Sequence, residues 1–511
     1  MTAPDSVQAN GSGPVVIENC AIATMDGPRY DESGTEYHRG HIVVAGARIA
    51  ALGEGHWTPA GGATDRARRI NGTGCLATPG LINTHHHLYQ WLTQGRAQQS
   101  VLFDWLTELY PVWARIDAEQ VHAAATAGLA WLALSGCTTS TDHHYIFPPG
   151  GGGGFPQGGA WNGDALEAEI TAAARVGLRF HPCRGSMDLG RSAGGLPPDE
   201  IVEDTDAALA ATEDAVRRFH DPSPGAMVRV AAAPCSPFSV SSRLMRETAG
   251  LARKLSVRMH THLAETREED AYCRQTLGRT PVEYAEELGW LGEDVWLAHC
   301  VHLDEPAVKR VAATGTSVAH CPSSNARLGA GIAPVRQLLR AGVPVGLGVD
   351  GPASSEGTSL AGELRQALFA ARLRDSCGPA ALTARQALWL GTRGGARCLG
   401  RADEIGALRP GMLADIALWR VDTLAHDAVA HRPARGKEHG GGGQREEVRG
   451  ENAREEGGDP VAALVLGPPA PLELLLVGGT PVVESGELRT TDVIAAARDV
   501  RWERLRLEEH R

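Results

Sequence analysis

The chemistry-bearing residues of this chain fall in four places, in a fixed order. His85-His86-His87 follows Pro79-Gly-Leu-Ile-Asn-Thr. Then come His260-Thr-His262-Leu-Ala-Glu265, Ala298-His299-Cys300 and, last, Gly348-Val-Asp350. Each sits just past a short apolar run that reads as a β-strand. In a strand, residues i and i+2 point to one side, so His85 and His87 share a face and His86 looks away. Neutral imidazole suits Zn(II), Fe(II) and similar borderline metals. His262 can add a third nitrogen and Asp350 an oxygen, with positions left open for water. The set predicts a single divalent-metal site, and the chemistry it predicts is hydrolysis by activated water. A lone His-x-His is a weak signal; four such signals in order are a strong one.

These side chains can meet only if strand ends are gathered in one place. Candidate strands end near His87, Asp142, Arg184, Pro234, His262, His299, His320 and Asp350. Ala/Leu/Glu-rich helical stretches separate most of them, for example Glu119 to Leu134 and Pro306 to Thr314. Strand–helix alternation favours a parallel sheet. Eight repeats favour a closed (β/α)8 barrel, where chemistry sits at the C-terminal strand ends. The chain ends read differently. Residues 14–72, Asp415 to Trp419 and 475–488 are short β-rich runs with turn residues between them. The expected fold is α/β: a distorted (β/α)8 barrel of the TIM type over 76–402, with a small β-sandwich built from 14–75 and 403–500. Two segments read as insertions. Gly150 to Gly154 with Gly158-Gly159 is a glycine-rich loop lacking the Lys-Ser/Thr ending of a phosphate loop. Arg435 to Asp459 is nearly free of apolar side chains and reads as disordered.

Bulk properties narrow the function classes. The 511 residues are enough for two or more domains. A net charge of -12 argues against a nucleic-acid-binding surface. No run of about 18 apolar residues exists to cross a membrane. Met1 to Pro14 is polar and lacks the apolar stretch of a signal peptide. The ten cysteines form no CxxC pair, which points to reduced thiols and a cytoplasmic location.

Pro79-Gly-Leu-Ile-Asn-Thr-His-His-His resembles the first-strand motif of the amidohydrolase superfamily. His262-Leu-Ala-Glu265, Ala298-His-Cys-Val-His302, Val318-Ala-His-Cys-Pro-Ser-Ser-Asn325 and Gly348-Val-Asp-Gly351 resemble the later motifs of its deaminase/chlorohydrolase branch. Asp403 to Ala417 is similar too, and the likeness runs from about residue 14 to 500. It implies one divalent metal per subunit, zinc first with Fe(II) or Mn(II) compatible, held by His85, His87, His262 and Asp350. It implies that Glu265 shuttles protons to a substrate ring nitrogen. It also implies that His299 hydrogen-bonds the attacking water or oxyanion, and that Asp350 takes the water's proton. Two-metal members need a carboxylated lysine on the fourth strand. Here that strand reads Val228-Arg-Val-Ala-Ala-Ala-Pro-Cys-Ser236, with no lysine.

Within the branch, longer phrases resemble the bacterial 8-oxoguanine deaminases: His85 to Gln90, Leu106 to Ala114, Asp142 to Pro148, Arg184 to Met187 and Ala233 to Phe238. The implied activity is conversion of free 8-oxoguanine and water to urate and ammonia. The implied partners are a small purine and a second copy of the chain, with neither nucleic acid nor membrane. Such a purine needs paired donors and acceptors. Gln90 offers both, Arg184 can donate to a carbonyl or enolate oxygen, Cys235 can pack against the ring, and Trp113 can supply an aromatic face. Adjacent His143 and His144 look metal-like, but neighbours on a strand face opposite ways. Other aminopurines, pterins and s-triazines remain alternative substrates, because the metal chemistry serves them equally.

Overall fold

The computed structural model describes residues 14–32, 34–59, 67–147, 164–374, 378, 381–430 and 458–509. The glycine-rich loop at 150–159 and residues 435–457 of the second insertion lie outside the described residues. Asp459, at that insertion's end, caps the helix Pro460–Leu466.

Eight parallel strands close into a barrel: Leu81–Asn83, Cys137–His144, Arg179–Ser186, Ala231–Pro234, Met259–Leu263, Val295–His299, Ser317–His320 and Val345–Leu347. Leu347 pairs with Asn83 to complete the ring. Parallel barrel strands are buried on both faces: Val295–His299 is buried at every position, and so is the mostly polar Cys137–His144. The intervening helices start where side chains can cap them. Asp117 and Gln120 form a capping box at Ala118–Leu134, and Asp304 caps Glu305–Ala313. Both helices begin within one residue of the expected positions.

The first strand is shorter than its motif implied. It stops at Asn83, so His85 and His87 lie beyond it. Their shared direction survives because the chain stays extended. His86 bridges to Asp350, and the Asp350 N–H donates to the His85 carbonyl at 3.1 Å.

The chain ends build a nine-stranded sheet. Five strands come from the N-terminal part, Val15–Ala23, Glu36–Ala45, Arg48–Glu54, Arg68–Asn71 and Cys75–Pro79. Four follow the barrel, Ile416–Arg420, Leu472–Val477, Thr480–Glu484 and Glu487–Leu488. The two halves join where Cys75–Pro79 runs antiparallel to Ile416–Arg420. The sheet has its own core, in which Ile17, Ile42, Ile49, Ile416 and Leu474 share one cluster. A buried two-point ion pair, Arg179 with Asp415 at 3.2 and 3.3 Å, ties it to the third barrel strand. The helix Val493–Glu509, which the sequence reading did not anticipate, packs on Ala118–Leu134. Among the described residues, no helix is long and apolar enough to cross a membrane.

Candidate metal and catalytic site

Four strand ends converge at the barrel mouth. One nitrogen each of His85, His87 and His262 lie within 4.8 Å of one another, all buried. The His87 and His262 Nε2 atoms are 3.2 Å apart. Asp350 Oδ1 lies 3.3 Å from Nε2 of both His85 and His87.

The surroundings decide which ring nitrogen stays free. A carbonyl only accepts, so a ring nitrogen facing one carries the proton. His87 Nδ1 donates to the His143 carbonyl at 2.7 Å, and His262 Nδ1 to the Cys235 carbonyl at 2.7 Å. His260 Nδ1 donates to the Trp296 carbonyl at 2.8 Å, which leaves its Nε2 as acceptor for His85 Nδ1, also at 2.8 Å. All three Nε2 lone pairs are therefore left unprotonated beside the Asp350 carboxylate. His85 Nε2 is buried without a hydrogen-bond partner. Burial pushes the ionisation of all three imidazoles down, which keeps them neutral. Three imidazole lone pairs and one carboxylate are a donor set that fits a borderline divalent cation. His85, His87, His262 and Asp350 are the side chains that would hold it.

Above this set sit Glu265 and His299. His299 Nε2 is 3.7 Å from Glu265 Oε1 and 3.9 Å from Asp350 Oδ2. Its Nδ1 donates to Asn325 Oδ1 at 3.0 Å, leaving Nε2 an acceptor. Ser324 Oγ donates to Asp350 Oδ2 at 2.6 Å, and the Gly351 N–H to Oδ1 at 2.8 Å. Burial, helped by the charge of Asp350, raises the Glu265 carboxyl well above the ordinary range, so it is held as an acid. The backbone bends sharply here. Ala264, His299, Cys300 and Asp350 all have positive φ, between 50° and 70°. Non-glycine residues rarely take this conformation, and it clusters at working sites.

A cavity opens over these groups. His87, His262, Glu265, His299 and Asp350 line it on one side; Trp105, Tyr110, Tyr145, Phe238 and Cys235 also contribute, with Gln90 and Ser354. Of the four substrate residues expected from sequence, Gln90 and Cys235 line the cavity. Arg184 does not: it pairs with Glu203 at 2.6 and 3.0 Å and stacks 3.6 Å from the Phe147 ring centre. Trp113 does not either. It is fully buried behind Tyr89 and Trp105 and donates to Thr93 Oγ1 at 3.1 Å. Tyr110, Tyr145 and Phe238 were not singled out from sequence, although each belongs to one of the distinctive phrases quoted above. His143 and His144 do point opposite ways. His143 stacks on His262, while His144 faces Glu169 at 2.9 Å.

The amidohydrolase family model matches residues 76–435, and the chain belongs to that family. It is 42% identical to the 8-oxoguanine deaminase of Pseudomonas aeruginosa, across 78% of this chain and 87% of that protein. It is 38% identical to an isoxanthopterin deaminase of an unknown prokaryotic organism, across 84% and 89% respectively. Among solved structures, the atrazine chlorohydrolase of Arthrobacter aurescens complexed with zinc superposes with a TM-score of 0.82. That pair is 30% identical, covering 96% of this chain and 100% of the other. Fold, site and relatives define a hydrolase of the deaminase type on a closed (β/α)8 barrel.

Proposed function

We propose that this chain deaminates free 8-oxoguanine by hydrolysis, giving urate and ammonia. The observation that carries the reading is the Gln90 carboxamide. Its oxygen and nitrogen are buried at the cavity and meet no hydrogen-bond partner. A carboxamide pairs an acceptor with donors, which complements the N–H and C=O of a lactam edge. Guanine, isoguanine, oxidised purines and oxopterins present that edge, whereas a chloro-triazine does not. The aromatic wall suits a flat heterocycle, and the 42% identity to an 8-oxoguanine deaminase supports the same choice. An oxopterin is the second reading, favoured by the 38% identical isoxanthopterin deaminase.

Zinc is the first candidate for the cation, because the chlorohydrolase relative was solved with it; Fe(II) and Mn(II) suit the same ligands. Such a cation supplies a water acidified toward neutral pH. Asp350 receives that water's proton. His299 Nε2 hydrogen-bonds the attacking oxygen. Glu265 protonates the ring nitrogen beside the carbon under attack, where negative charge develops, and a proton passed on to the exocyclic amine lets ammonia leave. We assign the barrel to 76–402 and the sheet domain to 14–75 with 403–500, and we infer a dimer or larger homo-oligomer in the cytoplasm. The nine cysteines among the described residues, all buried free thiols, accord with that compartment.

The test is ammonia release by metal-loaded protein with 8-oxoguanine, guanine, isoguanine, isoxanthopterin, adenosine and an s-triazine. Fastest turnover of 8-oxoguanine is expected. Preference for another member of the panel would overturn the 8-oxoguanine assignment, and preference for one without a lactam edge would also remove the role given to Gln90.

A further inference from the structure

Glu265 leaves the fifth strand through a turn at Ala264, whose φ is 52°. Something must hold an alanine in this left-handed conformation. Thr266-Arg-Glu-Glu269 has the spacing of a capping box, whose glutamate ordinarily returns to the N–H of the capping residue. Half of the box forms: the Glu269 N–H donates to Thr266 Oγ1 at 3.3 Å. The other half reaches past the cap. One Glu269 oxygen accepts from the Ala264 N–H at 2.7 Å, and the other from the Glu265 N–H at 2.8 Å. Glu269 is fully buried. A carboxylate is costly there, and Thr266 already caps the helix. The two amides it grips belong to the strained residue and to the residue bearing the acid.

We propose that Glu269 is a positioning residue for Glu265, holding the turn at Ala264 so that the Glu265 carboxyl stands beside His299. The proposal rests on Glu265 as the proton carrier. Burial pushes the Glu269 carboxyl up to about 7, so its two-oxygen grip is available in the ionised form at and above neutrality. Short charge-assisted bonds to two successive amides suit that form.

Glu269→Gln tests this with the preferred substrate of the panel above. The amide retains one acceptor and turns an N–H toward the other amide. The expected result is a kcat lowered about 10- to 100-fold with KM within about twofold, the size of effect that a misplaced catalytic group produces. Bound metal should be unchanged, and hydrogen exchange at Ala264 and Glu265 should be faster. In a Glu265→Gln background, adding Glu269→Gln should lower kcat no further, because both changes act through one carboxyl. Additive losses, or wild-type kcat with unaltered exchange, would overturn the proposal. Should Glu269→Gln fail to fold, Glu269→Asp keeps the charge but cannot span both amides, and the same split is expected of it. If Glu265→Gln alone were fully active, the role of Glu265 would fall, while exchange at the two amides would still decide whether Glu269 holds the turn.

Discussion

His85 Nδ1 lies 2.8 Å from His260 Nε2, and His260 passes the constraint on to the Trp296 carbonyl, also at 2.8 Å. A backbone carbonyl of the sixth strand thus selects, through two imidazoles, which nitrogen of His85 remains a lone pair. His260 also stacks on the Trp296 ring with centroids 4.5 Å apart. It acts one layer behind the nitrogen that would meet a metal.

His260→Phe keeps the stacked ring but removes the acceptor. Metal affinity should fall about 10- to 100-fold, the usual cost of losing an orienting partner. Competition with a chromogenic chelator measures it. Wild-type affinity would show that His85 needs no such partner.

Glu265→Gln should lower turnover about 100-fold or more while metal stays bound, since a general acid is removed without touching a ligand. Asp350→Asn should abolish turnover. Burial raises the Glu265 carboxyl, so its protonated form persists above the ordinary carboxyl range and is lost only as pH rises through the elevated value. The alkaline limb of kcat/KM in the parent should therefore contain a step that is missing from residual Glu265→Gln activity. Matching alkaline limbs would assign the step elsewhere.

Gln90→Leu should separate substrates by their edges. A buried amide built to pair with a lactam loses that pairing, and discrimination of this kind can reach about 10⁴-fold. The kcat/KM for 8-oxoguanine should fall by at least about 100-fold on the same argument, and any activity toward an s-triazine should barely change. A uniform loss across the panel would mean that Gln90 only packs. Close approach is already tight there, since any side chain at Gly351 would overlap the Gln90 carboxamide.

Glu363 accepts from the Ser323 N–H at 3.1 Å, at the start of Pro322–Arg327, the short helix that delivers Ser324 to Asp350 and Asn325 to His299. Burial pushes its carboxyl from 4.5 to about 7. Between those values the folded chain binds more protons than the unfolded one, so this group's contribution to stability declines as pH rises through the window. Thermal melts of the parent should lose more between pH 5 and pH 8 than melts of Glu363→Gln, as the linkage requires over roughly that range. Equal losses would refute the assignment.

Much of this site was legible in the chain. Ligand type is a local property, and so is placement just after an apolar strand; together they singled out His85, His87, His262, Glu265, His299 and Asp350. Most of the eight strand ends were legible too, although the first strand stops at Asn83, short of His87. Tertiary structure decided what depends on a partner far away in sequence. The proton position on His85 is set 175 residues away by His260. Arg184 looked like a substrate contact because it ends a strand, but Glu203 and Phe147 claim its guanidinium. Trp113 looked like a pocket wall, but its helix turns it into the core, and Tyr110 and Tyr145 stand at the cavity instead. Thr266-Arg-Glu-Glu269 reads locally as a cap. Only the left-handed turn at Ala264 brings two further amides within reach of Glu269, and no spacing rule encodes a backbone conformation that an alanine avoids until its neighbours hold it there.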